Sequence, residues 1–170
     1  SDPHEENAAL QAEVERLSAE CRRLQQSEQE LRSIRNALDQ SEARYRMAFE
    51  YTGTAMIVIE EDLTISMGNQ RMEEITGYGQ EALAHKPRWT DYVDPAFHEQ
   101  LLEYHANRQN VAGAAPRTFE FRIRHRDGHF IDVSCNISMI PNTNQSLVSL
   151  IDITEAKRME RQLRDSERQY

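Results

Sequence analysis

The side chains that could take part in chemistry are few and scattered. The two cysteines, Cys21 and Cys135, lie far apart in different kinds of sequence, so neither a disulfide framework nor a metal-binding pair is expected. A phosphate loop, a nucleophile elbow, an HExxH helix and a CxxC pair are all absent. The histidine-kinase phosphoacceptor sequence and a GGDEF-type motif are absent as well. We therefore expect a chain with no catalytic activity of its own and no metal site.

Composition excludes two further classes of function. The net charge is −9 at pH 7 and the sequence pI is near 5.2, whereas affinity for nucleic acid comes from an excess of Lys and Arg. No apolar stretch approaches the roughly 20 residues that cross a bilayer, and no signal peptide is recognisable. We expect no nucleic-acid partner, no membrane insertion and a cytoplasmic location. The first four residues, 1–4, are interpreted as a cloning remnant.

The length allows one ordinary domain with residues left over. The chain has 170 residues, and single domains most often run to roughly 100 to 150. The charged fraction of 29% and the mean hydropathy of −0.79 are typical of a chain that includes a long solvated helix. The sequence therefore predicts one compact core together with a helical extension.

Residues 5–45 show the seven-residue repeat of a parallel coiled coil. Proline and glycine are absent, and apolar side chains recur at spacings of three and four residues, which keeps one stripe facing a partner helix. The stripe is too narrow for a helix that folds back on its own domain. We call it the seam, and it predicts a homodimer through Leu10, Val14, Leu17, Cys21, Leu24, Leu31 and Leu38.

Two features qualify this reading of the helix. Glu28, Arg35 and Glu42 occupy seam positions that favour apolar side chains, so the second half of the coil is either frayed or poised between two packings. A leucine zipper of a transcription factor needs a basic region before it. The residues before Leu10 include two glutamates and no Lys or Arg, which excludes that class.

After residue 53 the pattern changes to that of strands and short helices. Two β-prone runs at 55–59 and 63–67 predict a hairpin, and residues 70–110 predict short helices, one of them opened by Asp94 as N-cap with Pro95 behind it. Alternating residues on both sides of Asp127-Gly128 predict a second hairpin. A last strand is expected at 146–151. The economical arrangement is an α+β fold, an antiparallel sheet with its helices on one face.

Residues 42–156 resemble a PAS domain. The segments that carry the resemblance are Ser41–Phe49 before the first strand, Met72–Tyr78 after the second, Arg126–Phe130 at the second hairpin and Asp152–Glu155 after the last strand. The resemblance implies a five-stranded antiparallel sheet with short helices on one face. It also implies a sensory and usually dimeric domain set between helices that carry a signal.

On this reading the chain divides into four parts. They are the remnant at 1–4, the coiled-coil helix at 5–45, the PAS domain at 46–154 and a C-terminal output helix at 155–170. The pattern Leu-x-x-Ser-Glu-x-x-Tyr at 38–45 recurs at 163–170. We infer that the natural protein continues into an effector or a further PAS domain.

The resemblance also indicates where a ligand would bind. PAS ligands sit between the sheet and the helices, and apolar side chains of that region either line a pocket or simply fill the core. The candidates are Ile57, Met67, Met72, Trp89, Phe97, Leu101, Phe121, Cys135 and Ile137.

The junction after the last strand has a physical role and an implied one. We expect the Thr154 hydroxyl to cap the helix that follows it, with Glu155 in the first turn favoured by the helix dipole. The resemblance implies that Asp152 and Thr154 couple the sheet to the output helix. A plain helix cap is the alternative.

Cofactors can be tested against the family's ligand positions. The flavin-binding branch forms its photoadduct on a cysteine soon after the second strand, and residues 68–72 contain none, which excludes that chemistry. The haem branch uses a histidine on the long helix, but His98 and His105 do not fall where that ligand is expected. We expect no cofactor, and the pocket would admit a small organic ligand.

The leading functional hypothesis is a sensory module of a bacterial histidine kinase or cyclic-dinucleotide enzyme, in which a binding event in the pocket alters the flanking helices. The alternative is a ligand-free PAS domain that only dimerises and relays a signal.

Overall fold

A computed structural model describes residues 2–110 and 115–170. Ser1, part of the predicted remnant, lies outside the described residues. The chain forms two compact units, Ser1–Arg46 and Met47–Tyr170, and each is described by itself. In the described part of the chain, no helix combines the length and the apolar character needed to span a bilayer.

Helix α1, Pro3–Glu50, confirms the helix that the heptad pattern predicts. It has no buried residue, and ion pairs one turn apart, such as Arg16–Glu13 at 2.6 Å, lie on its surface. The seam leucines and Val14 are between 47% and 65% exposed. An isolated helix is stabilised mainly by packing its apolar face against another element. Since the seam is exposed, its apolar side chains would release further hydrophobic free energy on burial. Pairing with a second helix remains a prediction.

The second unit is built on one antiparallel sheet, as the sequence predicts. The strands are β1 (Ala55–Ile59), β2 (Ile65–Gly68), β3 (Thr118–Arg124), β4 (Phe130–Met139) and β5 (Ser146–Asp152). They lie in the order β2-β1-β5-β4-β3, and all neighbours are antiparallel. The last strand therefore sits at the centre of the sheet, where its end is surrounded by other strands.

Short helices connect the two halves of the sheet. They are α2 (Gln70–Thr76), α3 (Gln80–Leu83), two 3₁₀ turns (Trp89–Asp91 and Pro95–Phe97) and α4 (His98–Asn110). The predicted cap at Asp94 is present, since its carboxylate accepts a hydrogen bond from the Ala96 N–H at 3.1 Å. Helix α5 (Thr154–Arg168) follows β5 directly.

The core lies between one face of the sheet and these helices. Its buried members come from all five strands, from α2 and α4, and from the loop that carries Trp89 and Val93. Phe97, Tyr104 and Phe119 are partly buried against it. The arrangement confirms an α+β fold with helices packed over one face of a five-stranded sheet.

Strand β2 differs from its prediction because it contains a bulge. Val58 pairs with Met67 and Ile59 pairs with Ile65, so Ser66 is an extra residue that reverses the alternation. Ile65 is buried while Met67 is 50% exposed. Leu63, expected to start the strand, lies in the preceding turn with a φ of 76°.

Candidate functional site

A small apolar cavity lies between the core face of the sheet and the helices. Its volume is about 60 Å³, enough for a few water-sized groups and far below the roughly 300 Å³ of a pocket for a drug-sized molecule. Strands supply one wall, and α2, α4 and the Trp89 loop supply the other. The lining residues are Ile57, Ile59, Ile65, Met72, Trp89, Tyr92, Val93, Leu101, His105, Arg108, Phe119, Phe121, Ile123, Ile137, Ser146, Val148 and Leu150.

The structure brings six of the nine predicted pocket residues together on this cavity. They are Ile57, Met72, Trp89, Leu101, Phe121 and Ile137. Their approach follows from the fold, because the sheet places Ile57, Phe121 and Ile137 on its core face and the helices lay the others over it. Whether they bind a ligand remains a prediction.

The other three predicted residues lie elsewhere. Met67 does not line the cavity, because the bulge in β2 interrupts the alternation and leaves its side chain 50% exposed while Ile65 is buried. Phe97 is partly buried against the core but does not line the cavity. Cys135 is 1% exposed within the core cluster and is likewise absent from the lining. Burial raises the pKa of its thiol to about 12, so the group stays protonated and unreactive at neutral pH.

Polar groups reach the cavity mainly from α4, and the sequence analysis did not identify them as pocket residues. The Arg108 guanidinium donates to the Pro116 carbonyl oxygen at 3.0 Å, and burial lowers its pKa. Nε2 of His105 lies 3.1 Å from the Glu61 carbonyl oxygen. Apart from these groups, Tyr92 and Ser146, the lining is apolar. The cavity thus suits a small apolar group with one polar end.

The histidine that precedes His105 on α4 is held away from this lining. Nε2 of His98 lies 2.8 Å from the carbonyl oxygen of Val93, and His98 does not line the cavity. His105 does line it, so α4 presents one imidazole there.

Thr154 does not cap α5 as predicted. Its hydroxyl donates to a carboxylate oxygen of Asp152 at 2.6 Å and accepts from the backbone N–H of Asp132 at 3.0 Å. The helix cap is Ile153, which makes no side-chain cap bond. Instead the Asp152 carboxylate accepts the N–H of Thr154 at 2.9 Å. The hydroxyl is used to join strand β4 to the start of α5, because Asp132 lies beside the junction in the sheet.

Asp132 is the main contact of this junction, and sequence analysis missed it. Its backbone oxygen accepts the N–H of Ile153 at 2.8 Å, in addition to the bond that its own N–H makes to Thr154. Its carboxylate lies 3.6 Å from the guanidinium groups of both Arg122 and Arg161. Asp132 faces Arg122 across β3 and β4 and Arg161 on α5, so one residue contacts two strands and a helix. The alternation of apolar and polar residues along β4 identified Asp132 only as a polar position on the strand.

A second ion pair joins the same elements. Lys157 on α5 lies 2.5 Å from Glu120 on β3, and this hydrogen bond raises the pKa of the lysine. The pair is well exposed, so its contribution to stability is small. Together with Asp132 it links α5 to strands β3 and β4.

Asn69 holds the last turn of α1, which belongs to the second unit, to the strand and helix beside it. It is 1% exposed, and its side-chain oxygen accepts from the N–H groups of Met56 and Met72 at 2.9 and 3.1 Å. Its amide nitrogen donates to the carbonyls of Phe49 and Thr54 at 2.7 and 2.9 Å. A single side chain therefore ties α1, β1 and α2 together where the helix enters the domain.

Comparisons with known proteins agree with this architecture. The PAS fold family matches residues 65–154, more than half of the chain. The PAS domain of an HTR-like protein from Haloarcula marismortui is 20% identical with a TM-score of 0.59, covering 72% of this chain and 99% of its own. A PAS domain from Colwellia psychrerythraea is 24% identical with a TM-score of 0.56, at 69% and 98% coverage.

A third similar structure is a sensory box histidine kinase/response regulator from Burkholderia thailandensis E264. It is 18% identical with a TM-score of 0.54, and the alignment covers 74% of this chain and 96% of that one. No curated protein matches the sequence. Since strand order, helix placement and the family match agree, this chain belongs to the PAS fold family.

Proposed function

We propose that this chain is the sensory input module of a bacterial signal-transduction protein. A small ligand in the cavity would alter the sheet, and the junction at Asp132, Asp152 and Thr154 would pass the change to α5. The observation that carries this proposal is the Thr154 hydroxyl, which bonds β4 and the end of β5 at the root of the helix. A movement of β4 relative to β5 would have to alter the start of α5.

The cavity supports a ligand of a few non-hydrogen atoms. Its wall is mostly apolar, and its polar groups come from Arg108, His105, Tyr92 and Ser146. At about 60 Å³ it would hold a larger molecule only after the side chains move. Such a movement would displace both the strands of one wall and the helices of the other. A sensor requires this coupling between ligand binding and the surrounding elements.

Dimerisation through α1 completes the proposal. The exposed seam would pair two copies in parallel, and Asn69 would connect each helix to its domain. The similarity to a sensory box histidine kinase/response regulator supports an output of that kind. A cyclic-dinucleotide enzyme is the other candidate.

The alternative function is a ligand-free dimerisation and relay scaffold. The small volume of the cavity favours it, because a core that is nearly filled by its own side chains needs no ligand. Native mass spectrometry of the purified protein, with and without added metabolite extract, separates the two. A bound small molecule that unfolding releases supports the sensor, whereas an unliganded domain that still regulates its output supports the scaffold.

The coupling itself is tested by fusing the chain to its natural output domain. Thr154→Val removes the hydroxyl at constant shape, and Thr154→Ser is the matched control that keeps it. A lost bond of this kind costs on the order of 1 kcal/mol, which a folded domain tolerates. An output equilibrium balanced within a few kcal/mol would shift severalfold.

The expected result is an output locked on or off in Thr154→Val, near-normal regulation in Thr154→Ser, and similar melting temperatures for both. Normal regulation in the valine variant would contradict a role of the Thr154 hydroxyl in signal transmission.

A further inference from the structure

Three side chains with metal-ligand chemistry meet at the turn between β3 and β4. They are His125, Asp127 and His129, and one ligand atom from each lies within 4.8 Å of the others. Nδ1 of His125 is 3.3 Å from a carboxylate oxygen of Asp127, and the same oxygen contacts Nδ1 of His129. In the described part of the chain, this is the group of three that could hold an ion.

The backbone of the turn holds these side chains together before any ion binds. The N–H of His125 donates to the carbonyl of His129 at 2.8 Å, which makes the two histidines a pair across the hairpin. Their rings are stacked, with centroids 4.6 Å apart and planes 22° from parallel. Asp127 projects from the turn between them, and its carboxylate accepts the N–H of His129 at 3.0 Å. The backbone of the turn is therefore ordered before any ion binds, and only side-chain rotation is left to fix.

Helix α2 fixes the position of His125. The N–H of Arg126 donates to the carbonyl of Thr76 at 2.9 Å, which docks the turn on the end of that helix. A Cβ on Gly77 would lie 2.8 Å from the His125 ring, so the ring rests directly on this glycine. The His125 side chain is 23% exposed, while those of Asp127 and His129 are 61% and 58% exposed. One ligand is anchored and two can adjust.

We propose that the turn formed by His125, Asp127 and His129 binds a divalent transition-metal ion. Two imidazoles and a carboxylate are ligands that suit Zn²⁺ and its late first-row neighbours. Tetrahedral ligands about 2.0 to 2.1 Å from zinc lie about 3.3 Å apart, which is the distance from Nδ1 of His125 to a carboxylate oxygen of Asp127. Ligation through this nitrogen would replace the hydrogen bond that it accepts from the Asp127 N–H at 3.1 Å. Rotation of the exposed His129 brings the third ligand into range, and water completes the coordination.

The surrounding charges do not block the site. Arg126 is directed towards the Gly77 carbonyl at 3.5 Å and Glu81 at 3.7 Å. Arg124 donates to the Asp91 carbonyl at 3.2 Å. Both guanidinium groups therefore contact oxygen atoms outside the cluster of His125, Asp127 and His129. The proposed sensing function does not use these three residues.

Isothermal titration calorimetry of the purified chain with ZnCl₂, repeated with NiCl₂, tests the proposal. We expect one ion per chain. His129→Ala and Asp127→Asn should each weaken binding by roughly tenfold or more, because even residues that only contact a ligand are worth about that much. Both side chains are exposed, so these variants should fold.

His85→Ala is the matched control, since His85 is an exposed histidine outside the cluster. Wild-type affinity in this variant, combined with the two losses, supports the site. Absence of a binding event in the wild type overturns the proposal. An unchanged isotherm in His129→Ala or Asp127→Asn overturns it as well, because the ion would then bind elsewhere.

Discussion

At the scale of single residues, the Asn69 side chain makes four hydrogen bonds that join the last turn of α1 to β1 and α2. Replacing Asn69 with alanine removes these four side-chain hydrogen bonds. The N–H of Met56 and the carbonyl oxygens of Phe49 and Thr54 lose this partner, whereas the N–H of Met72 keeps its bond to the backbone carbonyl of residue 69. Because the site is buried, we expect Asn69→Ala to lower the free energy of unfolding by on the order of 2 to 4 kcal/mol. Urea unfolding measures the loss.

The neighbouring Gln70→Ala is the control, since Gln70 is exposed and its change should stay within about 0.5 kcal/mol. Equal stability of the two variants would show that water replaces the Asn69 bonds.

Cys135 gives a prediction about reactivity. Its pKa is raised by burial from 9.0 to about 12, and only the thiolate is nucleophilic. In a Cys21→Ser background, iodoacetamide at pH 8 should leave native Cys135 unmodified and modify it fully in urea, as measured by intact mass. Rapid labelling of native protein would show that the core opens.

The same shift predicts a dependence of stability on pH. A thiol whose pKa is raised by folding stabilises the native state below its ordinary pKa, and this contribution is lost as the pH rises from about 9 towards about 12. Comparing the Cys21→Ser protein with Cys21→Ser/Cys135→Ala over this range isolates the thiol from other groups. A difference that does not change with pH would contradict the assignment.

At the scale of elements, alanine substitutions at three glycines distinguish the cost of a strained backbone from the cost of a steric clash. Gly77 ends α2 with a φ of +77° and rests against His125, while Gly128 has a φ of +99° and open space around it. Gly53 has neither feature. Thermal melts should therefore rank the alanine variants: Gly53→Ala within about 0.5 kcal/mol of wild type, Gly128→Ala lower by about 1 to 2 kcal/mol, and Gly77→Ala lowest. If Gly77→Ala matches Gly128→Ala, the His125 ring moves away at no cost.

The junction elements show why α5 follows the sheet. Thr154 and Asp152 come from the end of one strand, whereas Asp132 comes from its neighbour. The sequence placed the first two side by side, and pairing of β4 with β5 added the third. Coupling of helix to sheet is thus a property of strand register.

At the scale of the whole molecule, the exposed seam of α1 predicts a parallel dimer. Leu17→Asp together with Leu24→Asp places four carboxylates in the seam of a dimer, where Leu17 and Leu24 would otherwise be buried. We expect monomers in analytical ultracentrifugation at micromolar concentrations.

Ala19→Asp together with Gln26→Asp is the control. It adds the same charge on the side of the helix opposite the seam and should leave the dimer intact. A dimer that survives the seam substitutions would place the main contact outside α1.

The sequence by itself determined the elements and the family. Heptad spacing predicted α1, alternation predicted β3 and β4, and Asp94-Pro95 predicted the start of a helix, because each depends on neighbours within a few residues. The segments around the strands were sufficient to indicate a PAS domain. Six of the nine pocket candidates lie on the cavity, because the resemblance to PAS domains indicated the space between sheet and helices.

Tertiary structure alone decided how these elements meet. One extra residue in β2 turned Met67 away from the core, and periodicity cannot locate a bulge that depends on the partner strand. Asn69 and Asp132 appeared in the sequence as ordinary polar residues, and their roles arise from groups 13 to 22 residues away. The meeting of His125, Asp127 and His129 likewise required the turn to close. Hydrogen bonds and ion contacts between distant segments depend on register and packing, which local spacing does not specify.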